Sequence, residues 1–143
     1  MQAMNSSAIA LTVGQLAKHA EVGVPTIRFY ERRGLLPVPA RRTSGYRQYP
    51  PDSVRRVRFI RHAQELGFSL REVQELLALS IDPGKSCADV RTRAAAKVAD
   101  IEAKTASLNR MRKVLLKLMN NCPGDGPTDA CPILLAMDDE HER

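Results

Sequence analysis

The residues with the clearest chemical potential in this chain are three cysteines. Cys122 and Cys131 bracket a loop reading NNCPGDGPTDACPI from Asn120 to Ile133, and Cys87 lies 35 positions upstream. A thiolate ligates soft metal ions or is oxidised, whereas a buried thiol is often an inert small hydrophobe. One isolated cysteine fits the inert role, and in a reducing compartment cysteines are more often ligands or sensors than disulfides. Their local settings agree. Ser86-Cys-Ala-Asp89 has capping-box spacing, which puts Cys87 in the first turn of a helix. There, free N–H groups and the helix dipole stabilise a thiolate, and Lys85 adds to the field. Cys131 precedes Pro132, a favoured first residue for a short helix to about Met137, so it too stands near a helix N-terminus.

The element between the cysteines decides how they can meet. Asp82-Pro83-Gly84 is a break, and from Ser86 to Asn120 there is neither Gly nor Pro. Val90, Ala94, Val98, Ile101, Leu108, Met111, Leu115 and Leu118 form the stripe of a long helix with a coiled-coil-like seam. A helix over 88–120 is about 50 Å long, so Cys87 and Cys122 cannot share an ion within one chain. Two such helices packed antiparallel bring Cys87 of one protomer to Cys122 and Cys131 of its partner. The alternative is a core helix folded back on its own domain; projection beyond so small a domain favours the homodimer.

Three sulfurs define the metal chemistry, because His19 and His62 belong to the N-terminal half and His141 to a polar tail. Zinc prefers four tetrahedral ligands. Soft ions that tolerate low coordination suit three thiolates, with Hg(II) the best fit and Cd, Pb, Zn or Cu as alternatives. An iron–sulfur cluster normally needs four cysteines. A thiol redox or electrophile sensor, with Cys122 and Cys131 forming a disulfide, is a rival of another class. No nucleophile–base constellation, phosphate-cradling Gly loop or paired carboxylate set points to an enzyme.

Charge separates the chain into halves. Residues 1–80 carry 12 Lys/Arg against 6 Asp/Glu, while residues 81–143 carry 10 of each. The positive excess therefore lies wholly in the N-terminal part, as a polyanion partner requires. Thr12-Val-Gly-Gln15 has capping-box spacing for a short helix to about Ala20, and Glu21-Val22-Gly23 is a turn. Pro25 suits the first position of a second helix to about Arg33, closed by Gly34. This pair is a helix-turn-helix candidate. Arg41 to Tyr49, with a turn at Ser44-Gly45 and alternation from Tyr46 to Tyr49, reads as a small hairpin, or wing. A third helix from about Asp52 to Leu66 carries the stripe Val54, Val57, Ile60, His62-Ala63 and stops at Gly67. Ser69-Leu-Arg-Glu72 opens a fourth, to about Leu79. Val24 and Thr26 suit base edges in the major groove. Arg28, Arg32, Arg33, Arg41, Arg42 and Arg47 can neutralise phosphates, and Tyr30, Tyr46 and Tyr49 can bond to them. Arg55, Arg56, Arg58 and Arg61 read better as a solvated face. No apolar run is long enough to span a membrane, and the N-terminus has no signal-peptide pattern, so a cytoplasmic location is expected.

Thr26-Ile-Arg-Phe-Tyr-Glu31, Gly34-Leu-Leu-Pro37, Gly45-Tyr-Arg-Gln-Tyr49, Phe59-Ile60 and Leu66-Gly-Phe-Ser-Leu70 resemble the mercury-resistance regulator (MerR) family, in order and spacing, from about Leu11 to Leu135. The resemblance implies an all-α fold with a small β wing: a winged helix-turn-helix head over 1–80, a linker and long antiparallel coiled-coil dimerisation helix over 81–121, and a metal-binding loop, short helix and tail over 122–143. It implies a homodimer on double-stranded promoter DNA that bends and untwists a palindromic operator so that RNA polymerase engages both promoter elements. It aligns Arg28, Tyr30, Arg41, Tyr46, Arg47 and Tyr49 with DNA contacts, and Cys87, Cys122 and Cys131 with the Hg(II) ligands of the mercury-sensing branch. Lead- and cadmium-sensing relatives share much of that triad. Cys122-Pro-Gly-Asp is also similar to the copper-sensing branch, which has a shorter loop and typically Ser at the position of Cys87.

Overall fold

Side-chain caps and turn residues set the bounds of the helices. The computed structural model describes residues 9–40 and 45–138. In chain order the helices are α1 (Val13–Ala20), α2 (Val24–Arg32), α3 (Asp52–Glu65), α4 (Leu70–Ile81), α5 (Cys87–Asn120) and α6 (Pro132–Met137), with a 3-10 turn at Thr128–Ala130. Thr12 Oγ1 accepts from the Gln15 N–H at 3.1 Å, and Gln15 Oε1 accepts from the Thr12 N–H at 2.9 Å. Ser69 and Glu72 repeat this reciprocal box at the start of α4, so both expected boxes form. Gly34 and Gly67, at φ 75° and 96°, close α2 and α3 as expected. The turn after α1 differs in detail. It falls at Glu21 to Gly23 as read from the sequence, but its left-handed residue, at φ 61°, is the non-glycine Glu21. Glu21 and Val22 N–H groups return to Lys18 and Ala17 carbonyls, so the chain accepts the conformational cost at a non-glycine.

Two compact units divide the chain, residues 1–94 and 95–143. In the first, α1 packs on α2 and α3, and α3 packs on α4. Leu16, Ile27, Leu35, Leu36, Val57, Ile60 and Val73 are fully buried, with Val54 and Leu70 partly buried beside them. Val57, Ile60 and Ala63 of the expected α3 stripe are core, while His62 faces outward.

The expected β wing is not seen as such: among the described residues there is no strand. Tyr49 instead makes an isolated antiparallel bridge with Leu11, giving and accepting backbone hydrogen bonds at 2.7 and 2.8 Å. The middle of the proposed hairpin, 41–44, lies outside the described residues.

The second unit holds the rest of α5, the cysteine loop and α6. Leu108, Met111, Leu115 and Met119 of α5 are about half exposed or more in the single chain. No helix among the described residues is long and apolar enough to cross a membrane.

Candidate nucleic-acid interface and metal centre

The helix-turn-helix expectation is met by α1, a three-residue turn and α2. At the start of α2, Val24 and Thr26 are half-buried, and Arg28 one turn later is exposed. A pocket of about 290 Å³ is lined by Thr12, Val13, Arg28, Gly45, Tyr46, Arg47 and Tyr49. Four of the sequence-selected residues, Arg28, Tyr46, Arg47 and Tyr49, thus converge on one face. Tyr46 is 72% exposed there, while Arg47 lies 3.8 Å from Glu31 Oε1. Arg32 and Arg33 lie 5.9 and 5.8 Å from the centre of the Phe29 ring, within cation–π range. Arg41 and Arg42 lie outside the described residues.

Tyr30 and Tyr49 occupy different positions from those a phosphate contact needs. Both are core residues, 3% and 1% exposed. The Tyr30 hydroxyl donates to Gln64 Oε1 at 2.7 Å, and that of Tyr49 donates to Glu31 Oε2. Burial, and secondarily the charge of Glu65, pushes the Tyr30 hydroxyl above its ordinary range, against the opposing pull of Arg61. The Tyr49 hydroxyl is pushed up to about 12, by burial first and then by its bond to Glu31, while Arg47 and Arg28 pull the other way. A phenol's apolar ring fits a core when its hydroxyl finds a partner, and both do.

Two arginines of α3, Arg56 and Arg58, act between elements. Arg56 Nε donates to the Leu35 carbonyl at 2.7 Å, and Arg58 Nη2 donates to the His19 carbonyl at 2.8 Å near the end of α1. They tie α3 to its neighbours, a role that a solvated-face reading misses. Only long-range geometry reveals it, because the partners are backbone atoms 21 and 39 residues away.

Cys122 and Cys131 come together. Both line a pocket of about 340 Å³ formed by the loop from Cys122 to Pro132. Cys131 is the N-cap of α6, as the sequence leads one to expect. The nearby Leu134 and Ile133 N–H groups at the start of α6, and to a smaller degree the Cys122 thiol, hold its thiol below the ordinary range against partial desolvation. The 3-10 turn just ahead, unforeseen in the sequence, helps aim it: the Cys131 N–H donates to Thr128 O at 3.2 Å. Pro127-Thr128-Asp129 carries the turn chemistry that could have signalled it.

Cys87 is exposed and opens α5. Ser86 Oγ accepts from the Ala88 N–H at 3.2 Å, and Asp89 Oδ2 accepts from the Ser86 N–H at 2.7 Å, so the expected cap is built. That bond holds the Asp89 carboxyl below its ordinary range. Cys87 is not among the residues of the Cys122–Cys131 pocket, and the described residues of one chain gather no set of three His, Cys, Asp or Glu side chains able to hold a metal ion. Two thiols facing one pocket, one of them favoured as thiolate, nonetheless have the donor chemistry a soft ion takes.

Helix-turn-helix and basic face together describe a DNA-binding regulator, one whose paired thiols are donors of the kind a soft ion takes. Residues 11–80 match the family described as "MerR HTH family regulatory protein", and residues 54–118 match "MerR, DNA binding". The mercuric resistance operon regulatory protein of Serratia marcescens is 42% identical over 132 residues, covering 92% of this chain and 90% of that protein. The transcription regulator PbrR691 from Ralstonia metallidurans CH34, solved in complex with lead(II), is 32% identical with a TM-score of 0.79, covering 89% of this chain and 98% of that one. The dual function regulator MerR from Bacillus megaterium MB1, solved with mercury(II), is 35% identical with a TM-score of 0.68, covering 90% and 100%. The chain belongs to the MerR family of transcription regulators, a DNA-binding family and not an enzyme family.

Proposed function

We propose that this protein is a metal-responsive homodimeric regulator that binds a palindromic operator within a promoter and activates transcription when Hg(II) occupies a three-thiolate site. Cys122 and Cys131 of one protomer and Cys87 of the other would hold the ion. The carrying observation is the loop pocket, where two thiols share one space and two backbone N–H groups favour the anionic form of Cys131. The length of α5 supports the cross-protomer arrangement. Its 34 residues make an element about 50 Å long, with Cys87 at its first position and Cys122 just past its last.

Val24, Thr26, Arg28, Arg41, Tyr46 and Arg47 are the residues of this reading that meet DNA, the arginines and Tyr46 at phosphates and the α2 start at base edges. Tyr30 and Tyr49 support that face from the core. Metal binding contributes differential stabilisation of one dimer conformation, and deformation of the operator carries the signal to RNA polymerase. Lead(II) is a second reading, favoured by the 0.79 TM-score to a lead-bound relative.

In-vitro transcription with Hg(II), Pb(II), Cd(II), Zn(II) and Cu(I) decides among ions. Mercury is expected to activate at the lowest concentration, and Cys87→Ser is expected to abolish that response while operator affinity stays unchanged. A normal Hg(II) response from Cys87→Ser would refute the cross-protomer triad. A normal response from Cys122→Ser and Cys131→Ser together would refute metal sensing at this loop.

A further inference from the structure

Glu31 is an acidic side chain in a place where acid is electrostatically adverse. It lines a second pocket with Arg28, Arg32, Val38 and Arg47, on the basic face of α2. A carboxylate there repels an approaching polyanion unless it does something the cations need. Its side chain is only 5% exposed, so its charge is largely withdrawn from water and directed at its neighbours.

Those neighbours occupy both carboxylate oxygens. Oε1 faces Arg47 Nη1 at 3.8 Å, and Oε2 accepts the Tyr49 hydroxyl. Arg47 and Tyr49 are two residues apart, the spacing at which side chains of extended chain share a face. Tyr49 is itself immobilised by burial and by its paired backbone bonds to Leu11. One carboxylate on α2 thereby adds a side-chain tie to a segment whose backbone pairs with Leu11. It also restrains the guanidinium that lines the same pockets as Arg28.

We propose that Glu31 is a positioning residue for DNA binding: its buried carboxylate clamps Arg47 directly, and the chain carrying it through Tyr49, so that Arg47 and Arg28 are presented together. The inference rests on the reading of this face as the DNA-facing one. Pre-organisation removes the ordering cost of a long, rotamer-rich side chain before phosphate arrives. The clamp and simple electrostatics have opposite signs, which makes them separable. Removing a negative charge near DNA strengthens binding by Coulomb attraction, whereas releasing the clamp weakens it.

Operator affinity of Glu31→Gln, measured below the melting temperature of every variant compared, is the test. The expected result is roughly three- to tenfold weaker operator binding, the scale of ordering one rotamer-rich side chain, with non-operator DNA weakened as well because the positioned arginines meet phosphates. In an Arg47→Ala background the same change is expected to cause no further loss, since the group it positions is gone and only the Coulomb gain remains. Wild-type or tighter operator binding by Glu31→Gln would overturn the clamp, as would a full additional loss in the Arg47→Ala background. If Arg28→Ala and Arg47→Ala each bind operator like wild type, the DNA-facing reading of the surface fails, and the clamp with it. Should Glu31→Gln melt too low to assay, Arg47→Lys carries the test. It keeps the charge but loses the planar fork, and several-fold weaker binding at an unchanged salt slope is expected. Wild-type affinity for that variant overturns the proposal equally.

Discussion

Tyrosine and cysteine show how far residue type alone can be trusted. Tyr46 and Tyr49 are three positions apart in one motif, yet one is 72% exposed and the other 1%. Spacing could select them as phosphate partners, but it could not tell that the Tyr49 hydroxyl already has a carboxylate to bond, because Glu31 lies on another element. The raised Tyr49 value yields a prediction with a definite sign. Its hydroxyl, ordinarily ionising near 10, titrates at about 12 in the folded chain. The stabilisation is therefore complete below about pH 10 and is lost as pH rises toward 12. Urea melts between pH 9 and 12 should show falling stability in wild type and a smaller fall in Tyr49→Phe. Equal slopes would mean that Tyr49 does not link protons to folding. Cys131 shifts the other way. Its thiolate is stabilised by the α6 N–H groups, so alkylation of Cys131 in metal-free protein should reach half-maximal rate below the ordinary thiol value of about 8.5. A midpoint at or above that value, mapped by peptide mass, would contradict the N–H cradle.

Helix ends were the most legible part of the sequence, because each is set by local chemistry. Thr12 with Gln15, Ser69 with Glu72, and Ser86 with Asp89 all form their caps, and α6 begins at its proline. Elements that depend on distant partners were not legible. The Tyr49 segment pairs with Leu11, 38 positions away, and nothing in the alternation of residues 46–49 identifies that partner. The turn after α1 lies between these cases: its position was readable, but not which residue takes the left-handed conformation. Glu21 occupies it at φ 61°, a conformation costing a non-glycine residue about 1 kcal/mol. Glu21→Gly should therefore stabilise the head by up to about 1 kcal/mol in urea melts, after glycine's extra freedom in the unfolded chain is deducted. A clear loss of stability would show that the Glu21 side chain makes a larger contribution than its backbone strain removes.

At the scale of the molecule, the question is what covers α5. Leu108 and Leu115, one heptad apart, are 63% and 49% exposed, and Met111 and Met119 are open as well. A single chain leaves this stripe in water, and packing it against a second copy would bury several leucine- and methionine-sized groups at about 1.5–3 kcal/mol each. The same pairing is what the proposed three-cysteine site requires, so in that reading assembly and sensing stand or fall together. Wild type should sediment at about twice the 15.9 kDa chain mass. Leu108→Glu with Leu115→Glu should sediment as the single chain, since each seam would bury four carboxylates without partners. That variant should retain the far-ultraviolet helical signal of the head, whose core is built from α1 to α4. It should lose cooperative operator binding because only one half-site is engaged at a time. Hg(II) should still bind it, but with two sulfur ligands per ion where the dimer supplies three, a difference visible in the ultraviolet charge-transfer band. A monomeric variant that kept the three-sulfur signature would separate the site from the dimer, and would require Cys87 to reach the loop of its own chain.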